Sequence, residues 1–214
     1  MARTKTAVQE VVIRKPRVEV VEVDIVGTSP YVQNKLSKAV IEELIKDQAS
    51  GERKRKGKKR EPKDFDQLWR EVTRQSPEGW YGIPAPAFRQ AMVDACRLAG
   101  VKMTMARMSF FVEADGYDKD DGMPLVRITK GEPKPRIDIT RIANGRTVNV
   151  TARPMWDPGW EARVRIKYYA DTFSAEDIIN LLSLAGEFVG IGEGRPFSPN
   201  SSGCGWGLFR VKEG

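Results

Sequence analysis

Histidine is absent from this chain of 214 residues. It is the usual general base at neutral pH and the commonest metal ligand. Its absence excludes Ser-His-Asp and Cys-His catalytic arrangements and every zinc site that needs a histidine ligand. Catalysis by carboxylates, or by magnesium held on carboxylates, stays open. We therefore expect a binding protein rather than an enzyme, and no cofactor.

Cysteines and long apolar runs are scarce as well. Cys96 and Cys204 are too few for a disulfide framework or a cysteine zinc site. No apolar run approaches the roughly 18 residues of a membrane-spanning helix. The segment from Met1 to Thr6 lacks the apolar stretch of a secretory signal behind its charges. We expect a soluble protein in a reducing compartment, the cytoplasm.

Acidic residues are missing from residues 53–60, which we call the basic run. It contains seven cations: Arg53, Lys54, Arg55, Lys56, Lys58, Lys59 and Arg60. Without them, 29 of the 36 basic residues remain against 29 acidic residues, so the run accounts for the whole net charge of +7. Such a run is typical of a segment that binds a polyanion through salt-sensitive phosphate contacts. The alternative is a solvated loop without a partner.

Apolar periodicity predicts a mixed order of helices and strands. Alternation over 18–26 predicts a first strand, in which the doubled Val20-Val21 indicates a β-bulge. Helical spacing predicts helices over 37–46, 65–72, 86–99 and 174–188. Further strands are predicted over 101–112, 125–128, 162–169 and 208–211. Asn144-Gly145 predicts a tight hairpin turn between 136–142 and 147–151.

The order of these elements is strand, helix, insertion, strands, helix, strand. It is typical of an α+β fold with the ferredoxin-like or RRM-like βαββαβ core. We expect one domain over 1–214, with residues 17–48 and 101–214 forming the RRM-like core. Residues 49–100 would be an insertion that carries the basic loop 51–63 and helices.

Two polar groups on these elements are candidate nucleic-acid contacts. One face of the predicted strand 162–169 carries Arg163, Arg165, Lys167 and Tyr169. Cations there can meet phosphates and a ring can stack on a base, although an antiparallel sheet has an ordinary solvent face too. The junction after the first strand carries Tyr31, Asn34 and Lys35. These side chains can read a base edge and a phosphate, or form a plain polar loop.

Glycines recur near the C-terminus, at Gly190, Gly192 and Gly194 and again at Gly203, Gly205 and Gly207. Glycine permits a positive φ and a close approach of the main chain to phosphates. No strand precedes these glycines and no helix follows them, which excludes a dinucleotide fingerprint. Arg195 and Trp206 are the cation and the ring beside them. The alternative interpretation is a flexible connection.

A helix, a Gly-x-Gly…Gly-x-Gly-x-Gly loop and a final strand together resemble the signature of the RAMP superfamily of CRISPR-associated RNA-binding proteins. The first strand, which ends in Gly27-Thr28-Ser29-Pro30, is similar to that of the backbone-subunit branch. Gly190-Ile191-Gly192-Glu193-x-Arg195-Pro196 resembles a segment of small bacteriophage proteins. The resemblance covers the first strand and about the last 50 residues, and the middle of the chain poorly.

The resemblance implies an RRM-like core that binds single-stranded RNA, often as copies lined up along the strand. Gly203, Gly205 and Gly207 would then approach the RNA backbone. The endonuclease branch commonly uses a histidine, which this chain lacks, so the resemblance implies a binder. It also implies the cytoplasm of a bacterial or phage-infected cell.

The leading hypothesis is therefore non-enzymatic binding of single-stranded nucleic acid, RNA more than DNA, by a homo-oligomer or a ribonucleoprotein subunit. One alternative is a phage structural or assembly protein that contacts protein partners. A second is a metal-dependent nuclease that uses an acidic cluster made of Asp115, Asp118, Asp120 and Asp121.

Replacing Lys54, Lys56, Lys58 and Lys59 together with alanine tests the basic run. Because attraction to phosphates is blind to sequence, we expect weaker binding to all oligonucleotides alike. The slope of log affinity against log salt should also flatten, by roughly 0.7 for each phosphate of a single strand that the variant no longer neutralises. Fluorescence anisotropy at several salt concentrations measures both, and an unchanged slope would remove the run from the binding site.

Overall fold

The computed structural model describes residues 14–50, 64–142, 147–198 and 201–212. Within them the chain is a mixed α+β protein with five α-helices and antiparallel sheets. The strands are β1 (Val18–Gly27), β2 (Tyr31–Val32), β3 (Gly82–Pro84), β4 (Phe110–Glu113), β5 (Gly116–Tyr117), β6 (Pro124–Lys130), β7 (Lys134–Ile142), β8 (Thr147–Trp156), β9 (Glu161–Tyr169) and β10 (Phe209–Val211). The helices are α1 (Lys38–Ser50), α2 (Phe65–Glu71), α3 (Ala85–Ala99), α4 (Met103–Ser109) and α5 (Ala175–Leu184). The basic run lies outside the described residues.

The larger sheet is built around β1 and β9. Its strands follow the order β10-β1-β9-β6-β3, β4 pairs with β9 beside β6, and β5 pairs with β6. Every described pair of neighbouring strands is antiparallel. The helices α3 and α5 contact each other and cover one face of this sheet, the inner face. The core between sheet and helices includes Ile25, Val164, Ile166, Phe88, Met92, Ile178 and Leu182.

Local sequence explains where α3 and α5 begin and end. Pro86 lies in the first turn of α3, and Gly100 ends the helix in a left-handed conformation with φ of 68°. Ser174 caps α5: its hydroxyl accepts from the Asp177 amide at 3.1 Å, while the Asp177 carboxylate accepts from the Ser174 amide at 2.8 Å. The last turn before Gly190 is a π-helical turn, Ala185–Val189.

The smaller sheet has the strand order β2-β8-β7. The two strands predicted around Asn144-Gly145 are confirmed as β7 and β8, and the turn itself lies outside the described residues. Aromatic rings join the two sheets, because Tyr31 lies 5.5 Å from Trp156 and 5.6 Å from Trp160 between ring centroids. Both tryptophans are buried, and the Trp160 indole donates to the Ser29 carbonyl at 3.0 Å.

Two predictions about the strands are wrong. β1 has no bulge, since Val18 to Val26 pair with Tyr169 to Glu161 in one unbroken register. Val18 and Val20 instead lie on the exposed side of the sheet, and the inward alternation begins at Val21. In 101–112 only the last residues form a strand, because α4 occupies Met103–Ser109 and buries Ala106. Methionine and alanine favour helix, and that preference prevails there.

The helix α1 also differs from the expectation. Its apolar positions have the predicted spacing, yet none of its residues is buried. Of the helices that lie between β1 and β4 in the chain, α3 is the one that packs on the larger sheet. The sequence predicts this helix within an insertion. Periodicity shows which side of a helix is apolar but not which surface covers it. Among the described helices, none has the length and the hydropathy that crossing a membrane requires.

Candidate nucleic-acid interface

The face of the larger sheet that lies opposite α3 and α5, the outer face, has a charged half near the end of β1. There the Arg163 guanidinium forms two hydrogen bonds to the Asp24 carboxylate, at 2.8 and 3.0 Å. Arg165 lies 3.3 Å from the Asp115 carboxylate. Glu161 accepts from Lys130 at 3.2 Å and from Lys212 at 2.6 Å. These seven side chains are paired with one another.

This pairing changes the interpretation of two predicted phosphate contacts, Arg163 and Arg165. The hydrogen bond from Arg163 holds the pKa of Asp24 below its usual value, so the carboxylate stays charged beside the guanidinium at neutral pH. A phosphate that approached Arg163 or Arg165 would compete with Asp24 or Asp115 for the guanidinium. Phosphate binding by these two arginines stays a prediction.

The other half of the outer face is apolar and aromatic. Registers across β1, β9 and β4 place Val20, Lys167 and Phe111 in one row, and Val18 beside Tyr169 in the next. The exposed fraction is 55% for Phe111 and 37% for Tyr169. We call these five residues the aromatic platform. Apolar side chains exposed in a contiguous group are typical of an interaction surface.

A groove of about 270 Å³ runs along the edge of the platform beside α4. The charged side chains that line it are all cations: Arg89, Arg107 and Lys167. Two carboxylates on adjoining segments have partners: Glu19 accepts from the Tyr168 hydroxyl at 2.9 Å, and Asp171 lies 3.5 Å from Arg17. Among the described residues, Lys167 has no carboxylate within ion-pair distance. The platform thus offers an unpaired cation between two exposed rings.

The glycine segment (190–207) is tightly constrained by packing. Gly190, Gly192, Gly194 and Gly207 all have φ near +70°, where a side chain is strained. A Cβ on Gly207 would lie 1.8 Å from the Ile191 carbonyl oxygen, and one on Gly192 would lie 2.5 Å from the Val32 carbonyl oxygen. A Cβ on Gly194 would lie 2.4 Å from the Trp206 ring. The fold itself therefore requires these glycines.

Gly203 and Gly205 are different. Both have positive φ, 64° and 75°, but a Cβ on either would meet no atom within 4 Å. Cys204 between them is exposed. No described neighbour explains these two glycines by packing, and we call them the open glycines; the Gly203 amide donates to the Ser201 hydroxyl at 3.2 Å.

Trp206 and Arg195 already have protein partners. The Trp206 ring packs against Gly194 and lies 4.3 Å from the Arg136 guanidinium, which stacks over it. The Arg195 guanidinium donates to the Gly192 carbonyl at 2.8 Å. Both side chains are half-buried, so each has only part of its surface left for a ligand.

The three candidate residues at the junction after β1 differ in their burial and in their partners. Tyr31 is buried among Trp156 and Trp160, which leaves no ring surface for a base; burial also raises the pKa of its hydroxyl. Asn34 is exposed and donates to the Glu193 carboxylate at 3.1 Å. Lys35 is buried and contacts Asp118 at 2.9 Å and Asp120 at 2.8 Å. Lys35 is thus a structural cation rather than a phosphate contact.

The acidic cluster proposed for a nuclease is held by cations. Asp118 is fully buried between Lys35 and Arg74, and Arg74 also contacts Asp121 at 3.0 Å. Lys38 reaches Asp120 from the surface at 2.7 Å. Across the described part of the chain, no group of three or more acidic or cysteine side chains is arranged to hold a metal ion.

No protein-family model matches this chain, and no curated protein is significantly similar to it. The geometry of the platform, the open glycines and their surroundings therefore carries the functional argument.

Replacing Gly207 and Gly203 with alanine separates packing from backbone strain. Both variants carry the cost of a left-handed backbone, about 1–2 kcal/mol. Gly207→Ala adds the clash with the Ile191 carbonyl, and we expect a total loss of roughly 4 kcal/mol or more in the free energy of unfolding. Urea denaturation measures both, and equal losses would show that the tight packing at Gly207 is absent.

Asp120→Asn tests the ion cluster through pH. Desolvation raises the pKa of Asp120, but hydrogen bonds from Lys35 and Lys38 outweigh it and lower the pKa to about 2. A lowered pKa stabilises the fold above the unfolded value of 3.8, and the gain is lost as the pH falls toward 2. We expect the wild type to exceed Asp120→Asn by roughly 2 kcal/mol near pH 6.

This difference should shrink between pH 4 and pH 2, measured by urea denaturation at each pH. Asp157→Asn, which removes an exposed carboxylate paired with Lys134, is the matched control and should follow the wild type. A gap between wild type and Asp120→Asn that stays constant down to pH 2 would contradict the assignment.

Proposed function

We propose that this protein binds single-stranded nucleic acid, RNA in preference to DNA, without catalysing a reaction on it. The observation that carries the proposal is the aromatic platform, in which Phe111 and Tyr169 are exposed around Lys167. Unpaired bases stack on exposed rings, and each stacked base contributes about 1–3 kcal/mol. Lys167 lies where it can neutralise a phosphate between two stacked bases. A duplex hides its base faces, so the platform favours a single strand.

Two further regions fit this proposal. The basic run supplies cations that attract phosphates without regard to sequence. Gly203 and Gly205 offer open backbone at the other end of β1, where Thr28 donates to the Leu208 carbonyl at 2.9 Å. At about 3.3 Å per residue, the ten residues of β1 place the platform and the glycine segment roughly 30 Å apart. A single strand of nucleic acid that contacts both regions would run along the sheet.

The RRM-like core is part of the same proposal. The antiparallel order β10-β1-β9-β4, with α3 and α5 on one face, supports a split βαβ arrangement. In this arrangement α3, rather than α1, is the first core helix. The resemblance to the RAMP superfamily and to phage proteins favours RNA and several copies along one strand, as a homo-oligomer or within a ribonucleoprotein.

Three alanine variants on the outer face test the platform. Phe111→Ala should weaken binding by about 1–3 kcal/mol because a stacking surface is removed, with the salt slope unchanged. Lys167→Ala should lower the salt slope by roughly 0.7, the share of one phosphate contact on a single strand. Arg163→Ala is the matched control, because Arg163 lies on the same strand face but is paired with Asp24.

Fluorescence anisotropy with labelled RNA and DNA oligonucleotides over a salt series measures affinity and slope together. Thermal melting confirms that each variant folds, and Phe111→Trp should retain the affinity that Phe111→Ala loses. Absence of salt-dependent binding by the wild type at low ionic strength would refute the proposal. Equal effects of Lys167→Ala and Arg163→Ala would remove the platform from the interface.

A second candidate function is assembly through protein contacts. The apolar side of α1 is exposed at Val40, Leu44 and Ile45, and β7 exposes Ile137 and Ile139 on one strand face. Both surfaces fit a protein partner better than a phosphate backbone. Electron microscopy with and without oligonucleotide separates the candidates. Ordered assemblies without nucleic acid favour this function, and filaments that require an oligonucleotide favour the first.

A further inference from the structure

A cleft of about 310 Å³ lies between α3 and the glycine segment, apart from the aromatic platform. Its volume is at the lower end of the range for small-molecule sites, about 300–1,000 Å³. Ala87 and Ala91 on α3, one helical turn apart, line it with small side chains and keep it open. Gly190 and Gly192 form part of the opposite wall.

The charged side chains of the cleft differ in whether their hydrogen-bonding atoms already have protein partners. Both guanidiniums have protein acceptors: Arg195 donates to the Gly192 carbonyl, and Arg74 contacts Asp118 and Asp121. Asp94 accepts one hydrogen bond through Oδ1, from Gln90 at 3.1 Å. No described residue donates to its second carboxylate oxygen. The cleft therefore has a spare acceptor on a half-buried carboxylate.

This pattern selects the chemistry of the ligand. Two carboxylates, Asp94 and Glu193, line the cleft together with two cations, of which Arg74 is paired with carboxylates and Arg195 donates to a carbonyl. Burial raises the pKa of the Tyr31 phenol, which stays a neutral hydroxyl at physiological pH. A planar group that presents N–H donors to a carboxylate fits best. Carboxylates recognise amino groups of bases in this way.

We propose that the cleft binds a guanine base of the single strand, with Asp94 as the acceptor for its N1–H and 2-amino groups. Guanine presents these two donors side by side on one edge, which matches the two oxygens of one carboxylate. Gly203 and Gly205 belong to the same glycine segment as the cleft wall. The amide of Trp206, next to Gly205, donates at 3.2 Å to the carbonyl of Gly194, which lies between the cleft residues Glu193 and Arg195. The inference rests on the proposed function for the source of the base.

The experiment replaces guanosine with inosine, which lacks only the 2-amino group, in otherwise identical oligonucleotides. We expect the wild type to bind the guanosine oligonucleotide roughly tenfold more tightly. Asp94→Asn should bring this ratio close to one, because its amide turns a donor toward the base. The control Asp157→Asn makes the same chemical change outside the cleft and should keep the ratio.

A second variant, Ala87→Phe, fills the cleft without touching Asp94 and should also abolish the ratio, with folding checked by thermal melting. Equal binding of both oligonucleotides by the wild type would overturn the inference and leave the proposed function standing. A ratio that survives in Asp94→Asn would overturn it too. If no oligonucleotide binds at all, the proposed function fails. Calorimetric titration with guanosine and inosine monophosphates then tests whether the cleft binds guanine independently of any oligonucleotide. Guanosine monophosphate binding that depends on Asp94 would uphold it, and its absence would overturn it.

Discussion

Nine successive residues of β1 pair with nine of β9 in a single antiparallel register, from Val18 with Tyr169 to Val26 with Glu161. Side chains of a strand alternate with a period of two, so this register decides which face each residue occupies. A slip of one position would turn one strand over, and either Val23 and Ile25 or Val164 and Ile166 would leave the core. The same register sets the outer face, with paired charges at one end and exposed rings around Lys167 at the other.

The glycine segment contains glycines that packing requires and two glycines that packing does not explain. Gly207 and Gly192 let the main chain pass Ile191 and Val32 at distances that no side chain allows. The first contact closes the segment on itself, and the second binds it to β2, where Tyr31 packs against Trp160. An added Cβ would meet no described atom within 4 Å at Gly203 and Gly205, so packing explains most of the motif but not these two glycines.

The cations likewise fall into those that are paired with carboxylates and those that are not. Lys35 and Arg74 are buried with Asp118, and removing one member of such a cluster leaves an uncompensated buried charge. Arg163 is engaged by a carboxylate of β1 and Arg165 by one in the loop between β4 and β5, whereas Lys167, on the same face, lies beside Phe111 and Tyr169. Cations of one strand thus differ in availability because of what the adjacent strands place beside them.

Several elements could be predicted from the sequence because their signals are local. The alternation over 162–169, the Ser174 cap, the proline and glycine around α3 and the two hairpin strands depend on neighbours within a few residues, and the structure has all of them. Long-range packing, by contrast, places α3 rather than α1 on the sheet, buries Tyr31 and Lys35, and brings Phe111 beside Tyr169 on the platform. These features depend on pairings across more than fifty residues of chain, as between Phe111 and Lys167, and a local pattern carries no information about its distant partner.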